Sequence, residues 1–200
     1  MLMSTSKSLP AFEIFIQGLR IAWTTLPDIE SRMRRGLQLL AELVKDESMQ
    51  RACKSWPSTE GRKNLLFYED PDYGFAINGV LHMPGRKGSI HDHAHSWTAY
   101  GILAGSESLE RFRRTDDGSK EGFAKLELVS VEEGCAGKVD LVPPFDIHAE
   151  QGGPEKSYGL ILRSERVSGK VLQGSYDLET GLYRRIEGPI NIPYELVADL

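Results

Sequence analysis

Apolar residues in the first quarter of the chain recur every three or four positions, with charged residues between them. The first run is Phe12, Phe15, Ile16, Leu19 and Trp23, and the second is Met33, Leu37, Leu40 and Val44. This period is typical of amphipathic helices. Pro27 separates the two runs, and Asp28 is placed to cap the second helix. The pattern predicts that residues 11–55 are helical and pack on the main domain or on a partner subunit.

The period changes from about residue 64 onward, where side chains alternate as they do along a strand. One such series is Phe75, Ile77, Leu81 and Met83, and another contains Leu126 and Leu128. Turn signals rich in Gly, Pro and Asp recur about every 10–15 residues. Short strands between regular turns are typical of a β-sandwich or barrel. We therefore expect one structural unit, with a helical N-terminal extension over residues 1–60 and a β-barrel domain over residues 61–200.

The composition narrows the functional classes. A formal net charge of −5 over 200 residues gives no electrostatic basis for binding nucleic acid or an anionic membrane surface. No run approaches the roughly 18 apolar residues of a membrane span, and the polar start lacks a signal-peptide core. The two cysteines, Cys53 and Cys135, form no disulfide framework. We expect a soluble protein of the cytoplasm.

Histidines cluster in the middle of the chain. Three of the five, His91, His93 and His95, lie in one short stretch, and His148 follows in a later segment. On a strand, residues i and i+2 point to the same face. His91 and His93 can therefore present their imidazoles to one point, and a histidine from a neighbouring strand can complete a metal site. His95 shares this parity and lies either beside the site or, past a bend, at the surface.

Two spaced motifs surround these histidines. The first is Gly85-x5-His91-x-His93-x4-Thr98-x6-Gly105, and the second is Gly137-x5-Pro143-x-Phe145-x2-His148. Together they resemble the two metal-binding motifs of the cupin superfamily, over roughly residues 75–163. The resemblance implies a mainly β fold, the cupin double-stranded β-helix or jelly-roll barrel, with an α-helical N-terminal extension. It also implies that His91, His93 and His148 converge on a metal inside the barrel.

Three positions depart from the cupin pattern. Thr98 stands where the family usually has a glutamate, Phe145 where it has a glycine, and Gly152 where it has an asparagine. Thr98 is too short and too neutral to bind a metal well. Three neutral imidazoles leave open positions, which suits Fe(II) with an anionic substrate and dioxygen. Zinc with three histidines and water is the chemical alternative, and nickel and manganese also stay open.

Within the cupins, the chain resembles the thiol dioxygenases related to cysteine dioxygenase. The stretch Ser89–His93, the lack of glutamate at Thr98, and Leu103–Gly105 carry this resemblance. It implies Fe(II) on three histidines, a helical N-terminal segment, and oxidation of a thiolate to a sulfinate by dioxygen. Two features of that family lack a clear counterpart. No histidine follows His148 to serve in a Ser-His-Tyr relay, and Arg62-Lys63 lies near the substrate-carboxylate arginine but out of register.

Two further residues are candidate catalytic groups. Tyr100 follows the histidine strand and either points into the barrel as a reactive group or is a core aromatic residue with a hydrogen-bonded hydroxyl. Arg163 lies in an otherwise apolar run, where its charge needs a substrate carboxylate or a glutamate as partner. His82 alternates with apolar neighbours, and we expect a satisfied histidine inside the barrel. Trp97 either walls the pocket or simply packs.

The sequence therefore predicts a non-haem Fe(II)-dependent dioxygenase that resembles cysteine dioxygenase and oxidises a small thiol acid or related anionic substrate with O2. Two alternatives stay open: a three-histidine cupin dioxygenase that cleaves a C–C bond, and a non-catalytic metal-binding cupin. An apolar pocket without a buried arginine favours the first alternative, and a fourth protein ligand such as His95 favours the second. We expect no nucleic-acid or membrane partner, and the helical extension is compatible with a homodimer.

Overall fold

The computed structural model describes residues 9–166 and 172–197. Its first part is helical: α1 spans Pro10–Thr25, α2 spans Ile29–Leu43 and α3 spans Glu47–Ala52, with a 3-10 turn at Cys53–Ser55. The Asp28 carboxylate accepts a hydrogen bond of 2.8 Å from the Ser31 amide, which caps α2. The helical prediction is therefore confirmed, including the break at Pro27 and the cap at Asp28.

Twelve strands follow in the described part of the chain. They are β1 (Lys63–Glu69), β2 (Ala76–His82), β3 (Ile90–His91), β4 (Thr98–Ala104), β5 (Ser106–Arg114), β6 (Leu126–Cys135), β7 (Val139–Val142), β8 (Ile147–Gly152), β9 (Ser157–Arg163), β10 (Leu172–Tyr176), β11 (Tyr183–Glu187) and β12 (Ile190–Pro193). Two six-stranded sheets result, with the orders β12-β1-β2-β9-β4-β7 and β11-β10-β3-β8-β5-β6. Neighbouring strands are antiparallel, except that β1 and β12 are parallel. The predicted fold class, a mainly β jelly-roll barrel preceded by helices, is confirmed.

The helices cover the outer face of the first sheet. One buried apolar cluster contains Phe15, Leu19, Met33 and Leu40 from the helices and Ile77, Leu160 and Leu162 from the sheet. The packing is close, since a Cβ added at Gly101 of β4 would lie 2.7 Å from Cγ1 of Val44. The predicted boundary at residue 60 lies in the connection between Ser55 and Lys63, and the segments on either side of it share this core.

Strand β9 shows how the sequence divides side chains between the two faces of the first sheet. Leu160 and Leu162 point outward into the helical core, so Ile161 and Arg163 point into the barrel. Every residue of β9 is buried, because helices cover one face and the second sheet covers the other. An arginine on this strand therefore lies in the barrel interior rather than at the surface.

The residues that open the two motifs require left-handed backbone. The φ angle is 65° at Gly85 and 90° at Gly137, a region that glycine enters without steric strain. Phe145 stands where the cupin pattern has glycine, yet its φ angle is 62°. The backbone geometry is therefore kept, at a cost of about 1–2 kcal/mol for a residue with a Cβ. The Phe145 amide donates to the Ala94 carbonyl at 2.7 Å, which joins the loops of the two motifs.

The two cysteines are free thiols, Cys53 in the helical core and Cys135 exposed at the end of β6. Burial raises the pKa of Cys53 to about 11, so this thiol stays protonated near neutral pH. None of the helices in the described ranges is long and apolar enough to cross a membrane.

Candidate metal centre

Three histidines meet inside the barrel. His91 on β3 pairs in register with His148 on β8, and His93 lies just beyond the end of β3. The Nε2 atoms of His91 and His93 are 3.1 Å apart, and one nitrogen from each of the three rings lies within 4.8 Å of the others. The structure thus brings together the three residues that the sequence predicts as metal ligands.

Backbone carbonyls orient two of these rings. Nδ1 of His91 lies 3.0 Å from the Ser89 carbonyl oxygen, and Nδ1 of His148 lies 2.9 Å from the Asp146 carbonyl oxygen. A carbonyl only accepts hydrogen bonds, so each Nδ1 carries a proton, and Nε2 presents a lone pair when the ring is neutral. Nε2 of His148 is buried and has no hydrogen-bond partner among the described residues. A buried acceptor of this kind is costly unless a ligand satisfies it.

The donor set fits a divalent transition metal ion. Two nitrogens that are each about 2.1 Å from one ion, at a right angle, lie about 3 Å apart, close to the separation of His91 and His93. Burial lowers the pKa of His91 to about 4 and lowers that of His93 well below its usual value. Both rings are therefore neutral near pH 7, as ligation requires. Imidazole suits iron, zinc and nickel alike, so the residues alone do not select the metal.

Glu150 is a functional candidate that the sequence reasoning missed. It follows His148 by two positions on β8 and so shares its face, and its Oε1 lies 3.5 Å from Nε2 of His148. Burial opposes ionisation of this carboxyl, but His148, His91 and His82 together outweigh burial and hold the pKa of Glu150 well below its usual value. Burial also lowers the pKa of His148, yet Glu150 and Asp146 leave it above its usual value. Glu150 follows His148 at the same spacing as His93 follows His91, and this spacing could have identified Glu150 from the sequence.

Arg163 points into the barrel beside the histidines. It pairs in register with Thr98, and its Nη1 donates to the Thr98 hydroxyl at 3.2 Å. Arg163 is 5% exposed, and no carboxylate among the described residues forms an ion pair with it. Burial lowers the pKa of Arg163 to about 10, which leaves the guanidinium charged at neutral pH. Of the two partners that the sequence left open, no glutamate forms an ion pair with Arg163 in the described ranges, although the charge of Glu150 acts on it from a greater distance and favours its charged form.

Tyr100 lies on the inner face of β4, where its hydroxyl donates to both carboxylate oxygens of Glu107 at 2.9 and 2.8 Å. Ser157 also donates to Glu107, and Nδ1 of His82 lies 2.9 Å from the same carboxylate. Burial and then the Glu107 charge raise the pKa of Tyr100 well above its usual value. The Tyr100 hydroxyl is therefore hydrogen-bonded, as expected for a tyrosine in the core. His82 also has a hydrogen-bond partner inside the barrel, as predicted. A catalytic role for Tyr100 stays a prediction.

One cavity of about 660 Å³ connects the histidines with the surface. Its buried wall includes His91, His93, Thr98, Tyr100, Glu150, Ile161 and Arg163. Its mouth is formed by the start of β1, the loop between β2 and β3, and the segment before β12. Arg62, Lys63 and Lys87 at this mouth are exposed, and Arg86 is partly exposed.

His95 and Trp97 lie outside the site. The His95 side chain is 63% exposed, and its Nε2 lies 3.0 Å from Glu165 rather than near the other histidines. His95 therefore lies at the surface, which is one of the two positions that the sequence left open for it. Trp97 is partly buried and packs against the main apolar core, so it does not line the cavity.

Comparisons by sequence find no relative for this chain. No protein-family model matches it, and no curated protein matches it either. Comparisons by structure find cupin-fold proteins. A recombinant oxalate oxidase in complex with glycolate is 19% identical at a TM-score of 0.37, and the similarity covers 46% of this chain and 42% of that chain.

Two further structures illustrate the same likeness. A protein from Klebsiella pneumoniae with a double-stranded β-helix domain is 13% identical at a TM-score of 0.43, over 63% of this chain and 94% of that chain. A cupin domain from Schizosaccharomyces pombe is 12% identical at a TM-score of 0.39, over 52% and 60%. This chain thus spans less than two thirds of the oxalate oxidase and of the cupin domain. With TM-scores below 0.5, these partial matches carry no argument about this chain, and the likeness to cysteine dioxygenase stays a prediction.

Proposed function

We propose that this protein is a non-haem Fe(II)-dependent dioxygenase that oxidises a small thiol acid or a related anionic substrate with O2. The observation that carries the proposal is a cavity lined by His91, His93 and Arg163, in which two of the three converging imidazoles lie with a buried arginine that forms no ion pair among the described residues. His91, His93 and His148 would hold the metal. Fe(II) bound to three neutral ligands supplies open positions and a positive charge for a thiolate and dioxygen.

Arg163 is the residue that we expect to bind the substrate carboxylate. Its guanidinium offers several donors, of which one is used by Thr98. Arginine pairs with carboxylates through two parallel hydrogen bonds, which fixes orientation as well as affinity. The buried wall strengthens this attraction, because few water molecules screen the charges. The thiol end of such a substrate is then directed toward the histidines.

Glu150 is the carboxylate nearest to Nε2 of His148, at 3.5 Å. We expect its Oε1 to accept the proton that the substrate thiol releases. The substrate then binds as a thiolate, and the proton passes from this carboxylate to water in the cavity.

The cavity favours this proposal over the two alternatives. A buried arginine suits an anionic substrate, whereas a substrate that undergoes C–C cleavage as an apolar diketone gains nothing from that charge. A non-catalytic site closed by four histidines is not supported, since His95 lies at the surface.

The first experiment joins metal analysis with oxygen uptake. We expect about one iron per chain after loading, little iron in His148→Ala, and normal loading in His95→Ala, the matched control outside the site. Iron-loaded protein should consume O2 and form a sulfinate with cysteine or 3-mercaptopropionate. Cysteamine, which lacks a carboxylate for Arg163, should react far more slowly. Lack of oxygen uptake with all three thiols would overturn the thiol chemistry.

A further inference from the structure

The mouth of the metal cavity carries a cluster of positive charge. Arg62, Lys63, Arg86 and Lys87 all line it, against one exposed acid, Glu60. None of the four cations forms an ion pair with a carboxylate among the described residues. Elsewhere on the described surface, arginines mostly pair with acids, as expected for a chain with net charge −5. The mouth therefore carries an excess of positive charge, although the net charge of the whole chain is negative.

Main-chain carbonyls hold two of these cations in place. Nη1 of Arg86 donates to the Glu150 carbonyl at 3.1 Å, and Nη2 of Arg62 donates to the Glu187 carbonyl. Arg86 also lies in a backbone turn, since its amide donates to Met83 and its carbonyl accepts from Gly152. Both guanidinium groups are thus fixed without neutralisation, so their charges are available to a ligand. Lys63 and Lys87 add two further charges with mobile side chains.

The cavity is larger than a three-carbon thiol acid requires. Its volume is about 660 Å³, whereas a substrate such as 3-mercaptopropionate has six non-hydrogen atoms and fills on the order of 150–200 Å³ at 30 Å³ for each. Cavities of roughly 300–1,000 Å³ hold ligands of drug size. A small substrate at the histidines would therefore leave the space between Tyr100 and the mouth to water.

We infer that the mouth is a second binding subsite, for a phosphate group at the far end of an elongated substrate whose thiol lies at the histidines. Arg62, Lys63, Arg86 and Lys87 would bind the phosphate, since clustered lysine and arginine side chains prefer multiply charged oxyanions. The identity of the thiol rests on the proposed function. The anion subsite itself rests on the charges at the mouth and can be tested without oxidation chemistry.

The binding test uses inorganic phosphate and calorimetry on the full chain, in metal-free and iron-loaded forms. We compare Lys63→Gln/Lys87→Gln with Lys125→Gln/Lys156→Gln, which makes the same charge change at exposed lysines outside the cavity. The mouth variant should weaken phosphate binding about tenfold, as expected for loss of charge-assisted hydrogen bonds. The control variant should bind like the unaltered protein. Equal Kd values for the two variants, or binding that requires iron, would overturn the subsite.

The kinetic test compares N-(6-hydroxyhexanoyl)cysteine, which keeps a carboxylate for Arg163 beside its thiol, with its phosphate ester as probe thiols on iron-loaded protein. The phosphate ester should have the lower KM by about tenfold, and the mouth variant should abolish that difference with little change in kcat. If neither thiol supports oxygen uptake, the proposed thiol oxidation fails while the phosphate titration still decides the subsite. If both react with equal KM, the elongated substrate is wrong although the oxidation stands.

Discussion

Arg163 places a positive charge in a barrel wall that is otherwise Leu160, Ile161 and Leu162. Burial removes the guanidinium from water, and the hydroxyl of Thr98 replaces only part of the lost hydration. A buried charge without an ion pair destabilises a fold, and apolar replacements of buried charges are often neutral or stabilising. The same charge becomes favourable when a substrate carboxylate enters the cavity and pairs with the guanidinium. Stability and function therefore make opposite demands at this position.

For this reason we expect Arg163→Met to raise the free energy of unfolding of the metal-free protein by about 1–3 kcal/mol. Urea denaturation measures this change, with Arg113→Met as control, because Arg113 lies in an exposed ion pair with Glu127. In oxygen-uptake assays the same variant should raise KM for 3-mercaptopropionate at least tenfold and leave that for cysteamine unchanged. A less stable Arg163→Met protein would mean that the guanidinium is a structural group.

The sequence pattern predicted part of the site. The rest depends on contacts between strands, which a local pattern does not specify. The apolar run before Arg163 identified it as a charge that needs a partner, and the two motifs identified the three histidines. The hydrogen bond to Thr98 depends on pairing between β4 and β9, which no local pattern specifies. Glu150 lies on the same face as His148 and was missed because position 150 is not one of the positions that the motif specifies.

At the scale of elements, the helices were predictable and the sheet order was not. The amphipathic period, Pro27 and the Asp28 cap are local signals, and they place α1 and α2 to within a few residues. Strand β8, by contrast, lies between β3 and β5, and β9 lies between β2 and β4. Such pairings join segments that are distant in sequence, so alternation predicts that a strand exists but not its neighbours.

The junction between α2 and β4 is the element contact that most tightly limits substitution. A Cβ added at Gly101 would lie 2.7 Å from Cγ1 of Val44 and 3.2 Å from Cγ of Leu40, both on or beside α2. We therefore expect Gly101→Ala to lower the free energy of unfolding by about 1–3 kcal/mol, because the core is already filled. Thermal melting measures the effect. Gly74→Ala is a useful contrast, since its added Cβ meets no atom within 4 Å and only the φ angle of 74° opposes it. Equal melting temperatures for Gly101→Ala and the unaltered protein would contradict tight packing.

Across the whole molecule, apolar and polar burial are separated. The apolar cluster lies between the helices and the first sheet, whereas the barrel interior holds the histidines, Glu150, Arg163 and the Glu107 network. The main hydrophobic stabilisation therefore comes from outside the barrel. This arrangement lets the interior carry charges that a purely apolar core could not tolerate. The described part of the helical segment contributes no residue to the three-histidine cluster and instead shares the apolar core with the first sheet.

The buried histidines make the stability of the metal-free protein depend on pH. The pKa of His91 is about 4 in the folded chain, against 6.5 for a free side chain. Between these values the unfolded chain binds a proton that the folded chain excludes, so stability falls as the pH decreases from about 6.5 to about 4. His93 acts in the same direction. His148 acts in the opposite direction, because its raised pKa contributes stability below pH 6.5 that is lost as the pH rises.

One pKa unit corresponds to about 1.4 kcal/mol, so His91 alone accounts for a loss of up to about 3 kcal/mol across this window. Urea midpoints between pH 7 and about pH 4.5, with a chelator present, measure the slope. His91→Asn removes the titrating group, and its stability should change less steeply with pH than that of the unaltered protein. His95→Asn is the matched control, since the exposed ring of His95 lies outside the cluster. Parallel slopes for His91→Asn and the unaltered protein would show that His91 is not held neutral by burial, and would weaken the case for a preformed metal centre.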